Sequence, residues 1–210
     1  MKRMLLTVML AWICIVGAWS QNANRNGFFL EAAFGGIVGK TPQVAFSVDN
    51  YNLKAHTLTG TMVSFALGPR FRISNMAAYE LVLELQSPLN AFTSQPTAKL
   101  LPIGFRFTSR ELFANFSLYG TIRIGGAVGF KGNGNVDLTL PNMPKQDITI
   151  HSDSSPTGGP VASLGLGMNI TTHFYAGLTW DMQYLFKQYR GLKEENCMWG
   201  MVGVRAGYRF

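Results

Sequence analysis

Beyond residue 20 the chain alternates apolar and polar residues with a period of two, the signature of strands that are apolar on one face. In "FSLYGTIRIGGAVGF" one parity carries Phe116, Leu118, Ile122, Ile124, Val128 and Phe130, and the other Ser117, Tyr119, Thr121, Arg123 and Gly125. "HFYAGLTWDMQYLF" sets Phe174, Leu178, Trp180 and Tyr184 against Gly177, Thr179, Asp181 and Gln183. "TMVSFALGPRFRI", "YELVLELQ", "LLPIGFRFTS", "VASLGLGMNI" and "GFFLEAAFGG" repeat the arrangement, as does the terminal "MVGVRAGYRF". In "LLPIGFRFTS", Leu101, Ile103, Phe105 and Phe107 form the apolar set against Gly104, Arg106 and Thr108. The pattern predicts eight strands near 27–39, 57–73, 79–88, 99–109, 113–130, 161–171, 173–187 and 198–210.

The connections alternate strictly between short and long. "SNMAA", "REL" and "TTH" are short, whereas 40–56, 89–98, 131–160 and 188–197 are long. The longest is rich in Gly, Asn, Pro and Ser, and its "VDLTL" and "DITIH" segments predict a small hairpin of their own. No second domain and no fixed-period repeat is visible.

An apolar-faced sheet can close in two opposite ways: apolar inward around a ligand, as in a soluble barrel, or apolar outward to lipid. The polar parity here is mostly Gly, Ser, Thr, Ala and Gln with isolated charges, without the dense Lys/Glu cover of a soluble surface. The apolar parity is bulky and has no ionisable residue but tyrosine. Small residues and isolated charges suit the inside of a narrow barrel, and bulky apolar residues suit lipid. A closed barrel also satisfies every backbone group within hydrocarbon. The reading is a transmembrane barrel.

Composition adds a leader. Lys2 and Arg3 precede an apolar stretch from Met4 to Gly17, and Ala18-Trp19-Ser20 supplies small residues at a cleavage site. Residues 1–20 read as a secretory signal peptide and 21–210 as the barrel domain. The apolar stretch falls short of the roughly 18 residues of a membrane anchor, and Ile13 before Cys14 is too large for lipoprotein processing. Cleavage leaves Cys197 alone, so no internal disulfide is expected. It also removes two of the 18 Lys and Arg, leaving 16 against 11 Asp and Glu. These charges are scattered, with no basic run to serve nucleic acid.

The leader, the eight alternating strands, the turn asymmetry and the aromatic end together resemble the small bacterial outer-membrane barrels of the OmpA and OmpX kind. More narrowly the chain is similar to the Bacteroidota "outer membrane beta-barrel" families, including the PorT-like group. That resemblance implies an all-β, eight-stranded antiparallel up-and-down transmembrane barrel with short periplasmic turns and long extracellular loops. It implies residence in the cell outer membrane, against lipid and lipopolysaccharide. It also implies that Val202, Val204, Ala206, Tyr208 and Phe210 form the signal read by the barrel-assembly machinery.

Parity sends Glu31, Arg70, Arg72, Glu80, Glu84, Arg106, Arg123, Asp181, Arg205 and Arg209 into the lumen. Buried charges of mixed sign must pair or stay solvated. Depth along the strands predicts a Glu31–Arg205 pair across the closing seam and a Glu84–Arg106 pair between the third and fourth strands. A network of Glu31, Arg70, Glu84, Arg106, Arg123, Asp181 and Arg205 would then plug the lumen. The rival reading is a pathway for ions or a ligand.

Catalytic signals are weak. Lipid A deacylases of similar size place His and Ser two apart beside a Glu, but His173 is followed by Phe174 and Tyr175. "HSDSS" at 151–155 puts its polar groups side by side in a loop, where a nucleophile, base and orienter seldom align. Three scattered His and one Cys offer no metal spacing, and "GFKGNGN" lacks the Lys-Ser/Thr ending and helix of a phosphate loop. Trp180 and Tyr184 read as interfacial girdle residues. No cofactor is expected and no nucleic-acid partner. The sequence favours a structural or surface-interaction role without catalysis, with envelope proteins as partners of the extracellular loops. A narrow porin-like channel, an accessory subunit of an envelope secretion or transport assembly, and a lipid-modifying enzyme remain as alternatives.

Overall fold

The computed structural model describes residues 26–40, 60–89, 96–110, 112, 116–130, 133–138, 146–151, 156–186 and 197–210. The 1–20 leader, His56 and most of "HSDSS" lie outside the described residues. The described residues form ten strands: β1 (Asn26–Lys40), β2 (Thr61–Arg72), β3 (Ala77–Pro88), β4 (Thr97–Thr108), β5 (Ser117–Gly129), β6 (Asn133–Leu138), β7 (Gln146–His151), β8 (Thr157–Asn169), β9 (Phe174–Leu185) and β10 (Cys197–Arg209). Eight of them close a barrel in the order β1-β10-β9-β8-β5-β4-β3-β2, every pairing antiparallel, while β6 and β7 form the separate hairpin expected in the longest connection. Strands of 12 to 15 residues exceed the roughly 9–11 that a tilted strand needs to span a bilayer.

The β8–β9 and β2–β3 connections are closed by local hydrogen bonds of the turn backbone, to a side chain in the first and to a carbonyl in the second. Between β8 and β9 the Thr171 hydroxyl accepts from the Phe174 amide at 2.9 Å and from the His173 amide at 3.1 Å. Between β2 and β3 the amides of Ile73 and Ser74 both donate to the Ala77 carbonyl.

Alternation translates into two surfaces. Outside stand Leu30, Phe34, Phe65, Leu83, Ile122, Leu164, Leu178 and Val204, each more than two-fifths exposed. A soluble monomer rarely shows so continuous an apolar wall; here it encircles the barrel, as contact with hydrocarbon requires. Near the turn end, aromatic contacts run from strand to strand: Phe71–Tyr79, Tyr79–Phe105, Phe174–Tyr208, Tyr208–Phe210 and Phe28–Phe210. Tyr184 meets Phe186 near the other end. Trp180 does not join a girdle. It sits mid-strand opposite Leu164 and Val202, on the lipid-facing wall.

The interior is layered. Towards the long connections it is largely apolar, with Ile37, Met62, Val161, Leu185, Trp199 and Met201 all buried. Among the described residues nine charged side chains are buried, from the turn end up to Lys99 near the start of β4. One strand departs from simple alternation. In β4, Lys99, Leu101, Gly104 and Arg106 point inward while Leu100, Pro102 and Ile103 are exposed, and the register shifts between Leu100 and Ile103. This bulge at Leu101–Pro102 corrects the sequence-based face: Leu101 is fully buried in the lumen rather than lipid-facing.

Two aromatic rings need glycine beside them. Gly207 on β10 lies so close to the Tyr175 ring that a Cβ would stand 2.3 Å from Cζ. Gly167 and Gly177, paired across β8 and β9, similarly leave room for Tyr119.

Candidate functional site

The charged interior begins with Arg123, whose position on β5 faces inward and is wholly buried. In the closed ring β5 stands opposite β1, so an inward arginine at mid-height can cross the lumen. It does so: Nη1 donates to Glu31 Oε2 at 2.7 Å and Nη2 to Glu31 Oε1 at 2.8 Å. The same guanidinium also serves Glu80 on β3, with Nε 3.0 Å and Nη2 2.6 Å from Oε2. A planar fork with five donors suits this double duty, which a lysine could not perform.

Each carboxylate has further partners. Tyr175 donates its hydroxyl to Glu31 Oε1 at 2.8 Å, and Arg205 Nη1 lies 3.3 Å from Glu31 Oε2. Arg70 Nε donates to Glu80 Oε1 at 2.7 Å. A second knot sits nearer the long connections. Lys99 Nζ lies 3.2 Å from both Glu84 and Asp181, and Arg205 Nη2 is 3.8 Å and 3.7 Å from the same two residues. Arg205 therefore links the knots.

All seven residues expected in the lumen network lie buried inside the barrel. Glu31 and Arg205 meet across the β1–β10 seam. Glu84 and Arg106 do not meet. Glu84 stands opposite Lys99 and Arg106 opposite Ala78, so the register gives Glu84 a different cation. Arg106 instead lies over two aromatic rings, 3.5 Å from the Tyr119 centroid and 4.2 Å from that of Tyr175. Its Nη2 donates to Asn169 Oδ1 at 2.7 Å, and Asn169 in turn donates to Ser117 Oγ at 2.8 Å. Arg72 and Arg209 stand at the turn-end mouth rather than in the buried interior; Arg72 is exposed and Arg209 partly so.

Glu80, sent inward by parity, is absent from the expected network yet holds both Arg70 and Arg123, and sequence reasoning misses Lys99 altogether. The bulge reverses parity between Lys99 and Ile103, so a strict period of two assigns Lys99 to the lipid face. Proline within the strand was the available signal, since proline is confined to edges and bulges in sheets. The five residues of the expected assembly signal lie on the outer parity of β10 or just past it, with Val202, Val204 and Phe210 exposed. Cys197 is the first residue of β10. Among the described residues no three His, Cys, Asp or Glu side chains gather as metal ligands. His173 places Nδ1 2.8 Å from the Arg209 carbonyl and stacks on Tyr208, which gives it a structural occupation.

No protein-family profile matches the chain, and no curated protein sequence does. Solved structures similar to it include Neisserial surface protein A, with 12% identity over 87% of this chain and 97% of that one, TM-score 0.49. Ail, the attachment invasion locus protein of Yersinia pestis, shares 13% identity over 89% and 99%, TM-score 0.42. The outer membrane protein OprG of Pseudomonas aeruginosa shares 14% over 89% and 97%, TM-score 0.36. These neighbours are small bacterial outer-membrane barrels; the closure and strand count of the present barrel stand on its own hydrogen-bonded register.

Proposed function

We propose that the protein is an integral outer-membrane barrel without catalysis, which holds its long connections at the cell surface as a structural or surface-interaction element. In this reading the lumen is closed by its own side chains. The observation that carries it is the inverted partition: bulky apolar side chains outside, and Arg123 tying Glu31 and Glu80 together across an interior only wide enough for side chains. Outside and inside are thereby both accounted for, by lipid on one face and by ion pairs on the other.

The short-turn end faces the periplasm and the long connections the exterior, following the asymmetry of such barrels. Narrower membership, in the PorT-like group, is part of the proposal and rests on the sequence pattern. Purified protein refolded into a planar bilayer provides the test. Closed traces, with at most brief and small openings, are expected. A large, steady open state would refute the plugged lumen and favour the porin-like alternative.

A further inference from the structure

The buried charges do not balance. Arg70, Lys99, Arg106, Arg123 and Arg205 are five cations, against the four carboxylates Glu31, Glu80, Glu84 and Asp181. Four of the cations have a carboxylate within ion-pair distance. Arg106 has none among the described residues. It is only 2% exposed, its Nη2 is used by the neutral Asn169, and its Nε and Nη1 have no partner. Desolvated guanidinium donors left open are costly, and an interior charge of this kind in a membrane protein points to a site.

Arg106 also lines a cleft of about 430 Å³ at the turn-end mouth of the barrel, together with Arg70, Arg72 and Arg209. Arg70 is 5% exposed and its Nη1 has no partner; Arg209 Nε also has none. Arg72 is held by Asn75 and by the Ser74 carbonyl at 3.2 Å. Four guanidiniums thus arrive from three strands, β2, β4 and β10, and no carboxylate side chain lines the cleft among the described residues. Arg70 already pairs with Glu80, but Arg72, Arg106 and Arg209 have no such carboxylate among the described residues, and like charges so placed repel unless an anion joins them.

The geometry points to a binding site for a phosphate group in this cleft, with Arg106 at its floor and Arg72 and Arg209 at its rim. A tetrahedral anion offers oxygens in several directions and matches guanidiniums converging from three strands, whereas a carboxylate presents two oxygens in one plane. The source is either soluble phosphate or the headgroup of a phospholipid at the barrel's edge. The site does not depend on which compartment the turns face, nor on whether the lumen conducts.

The test follows the Arg106 Nε–Hε resonance of the barrel folded in maltoside micelles, which contain no phosphate. Inorganic phosphate is expected to shift it saturably, while acetate and chloride at equal ionic strength do not. The rim variant Arg72→Ser/Arg209→Ser, which leaves the interior intact, is expected to weaken binding at least about tenfold, the scale of one lost charge-assisted hydrogen bond. In Arg106→Met, followed through the Arg209 Nε–Hε resonance at the rim of the same cleft, the phosphate response is expected to be abolished. Adding phosphatidylglycerol to the micelles without phosphate separates the sources: a shift there assigns the headgroup, and a shift only with inorganic phosphate assigns the soluble anion. No shift with either in a folded barrel overturns the site. So does an equal response to acetate, or unchanged affinity in the rim variant.

Discussion

Replacing Arg123 by methionine keeps most of the side-chain volume and removes one charge from the centre of the barrel. Glu31 and Glu80 lose their shared partner, four donor–acceptor contacts of 2.6 to 3.0 Å. Breaking a buried pair by removing one member costs about 3–5 kcal/mol, because the surviving charge stays desolvated. Here neither carboxylate is stranded: Glu31 keeps Tyr175 and Arg205, and Glu80 keeps Arg70. The expected loss is therefore at the lower end, about 3 kcal/mol. Neutralising Glu80 in the same background, Arg123→Met/Glu80→Gln, removes the buried charge left with Arg70 as its single close cation and should return about 1 kcal/mol or more, within the range of coupling between contacting residues. The assay is urea unfolding from lipid vesicles, read by the fluorescence of Trp180 on the wall and Trp199 inside. A single-variant loss below about 0.5 kcal/mol, or strict additivity of the two changes, would refute the ion pair as a structural link.

Gly207→Val should prevent or sharply slow refolding, since its Cβ would meet the Tyr175 ring at 2.3 Å; Tyr175→Ala in the same chain should restore heat-modifiable migration on unboiled gels, and failure to do so would remove the steric explanation. Val204→Arg places a charge on the lipid-facing wall at mid-strand, where Val204 is 58% exposed. It should cost about 2–4 kcal/mol in vesicles, and a loss under about 0.5 kcal/mol would contradict a hydrocarbon setting for that face.

The faces of most strands were legible because burying bulky residues on one side leaves a period of two in the sequence. Arg123, Asp181 and Arg205 followed from it directly. Partner choice did not. Glu31 and Arg123 are 92 residues apart and belong to opposite strands of the ring, so their meeting depends on closure, not on local pattern. Glu84 illustrates the second limit: depth counted along strands suggested Arg106, and a single bulge delivered Lys99 instead. Arg106 had a legible direction but an illegible environment, since the two tyrosines that flank it come from β5 and β9.

Arg123 joins β5 to β1 and β3, while Lys99 and Arg205 join β4 and β10 to β3 and β9. Hydrogen-bonded ladders make a hoop, and a hoop alone flattens easily under sideways load. These side chains are spokes. They hold opposite arcs of the hoop at fixed separation, so lateral pressure from the bilayer meets resistance in compression across the diameter as well as bending along the rim. The roundness of the barrel is thereby set from within.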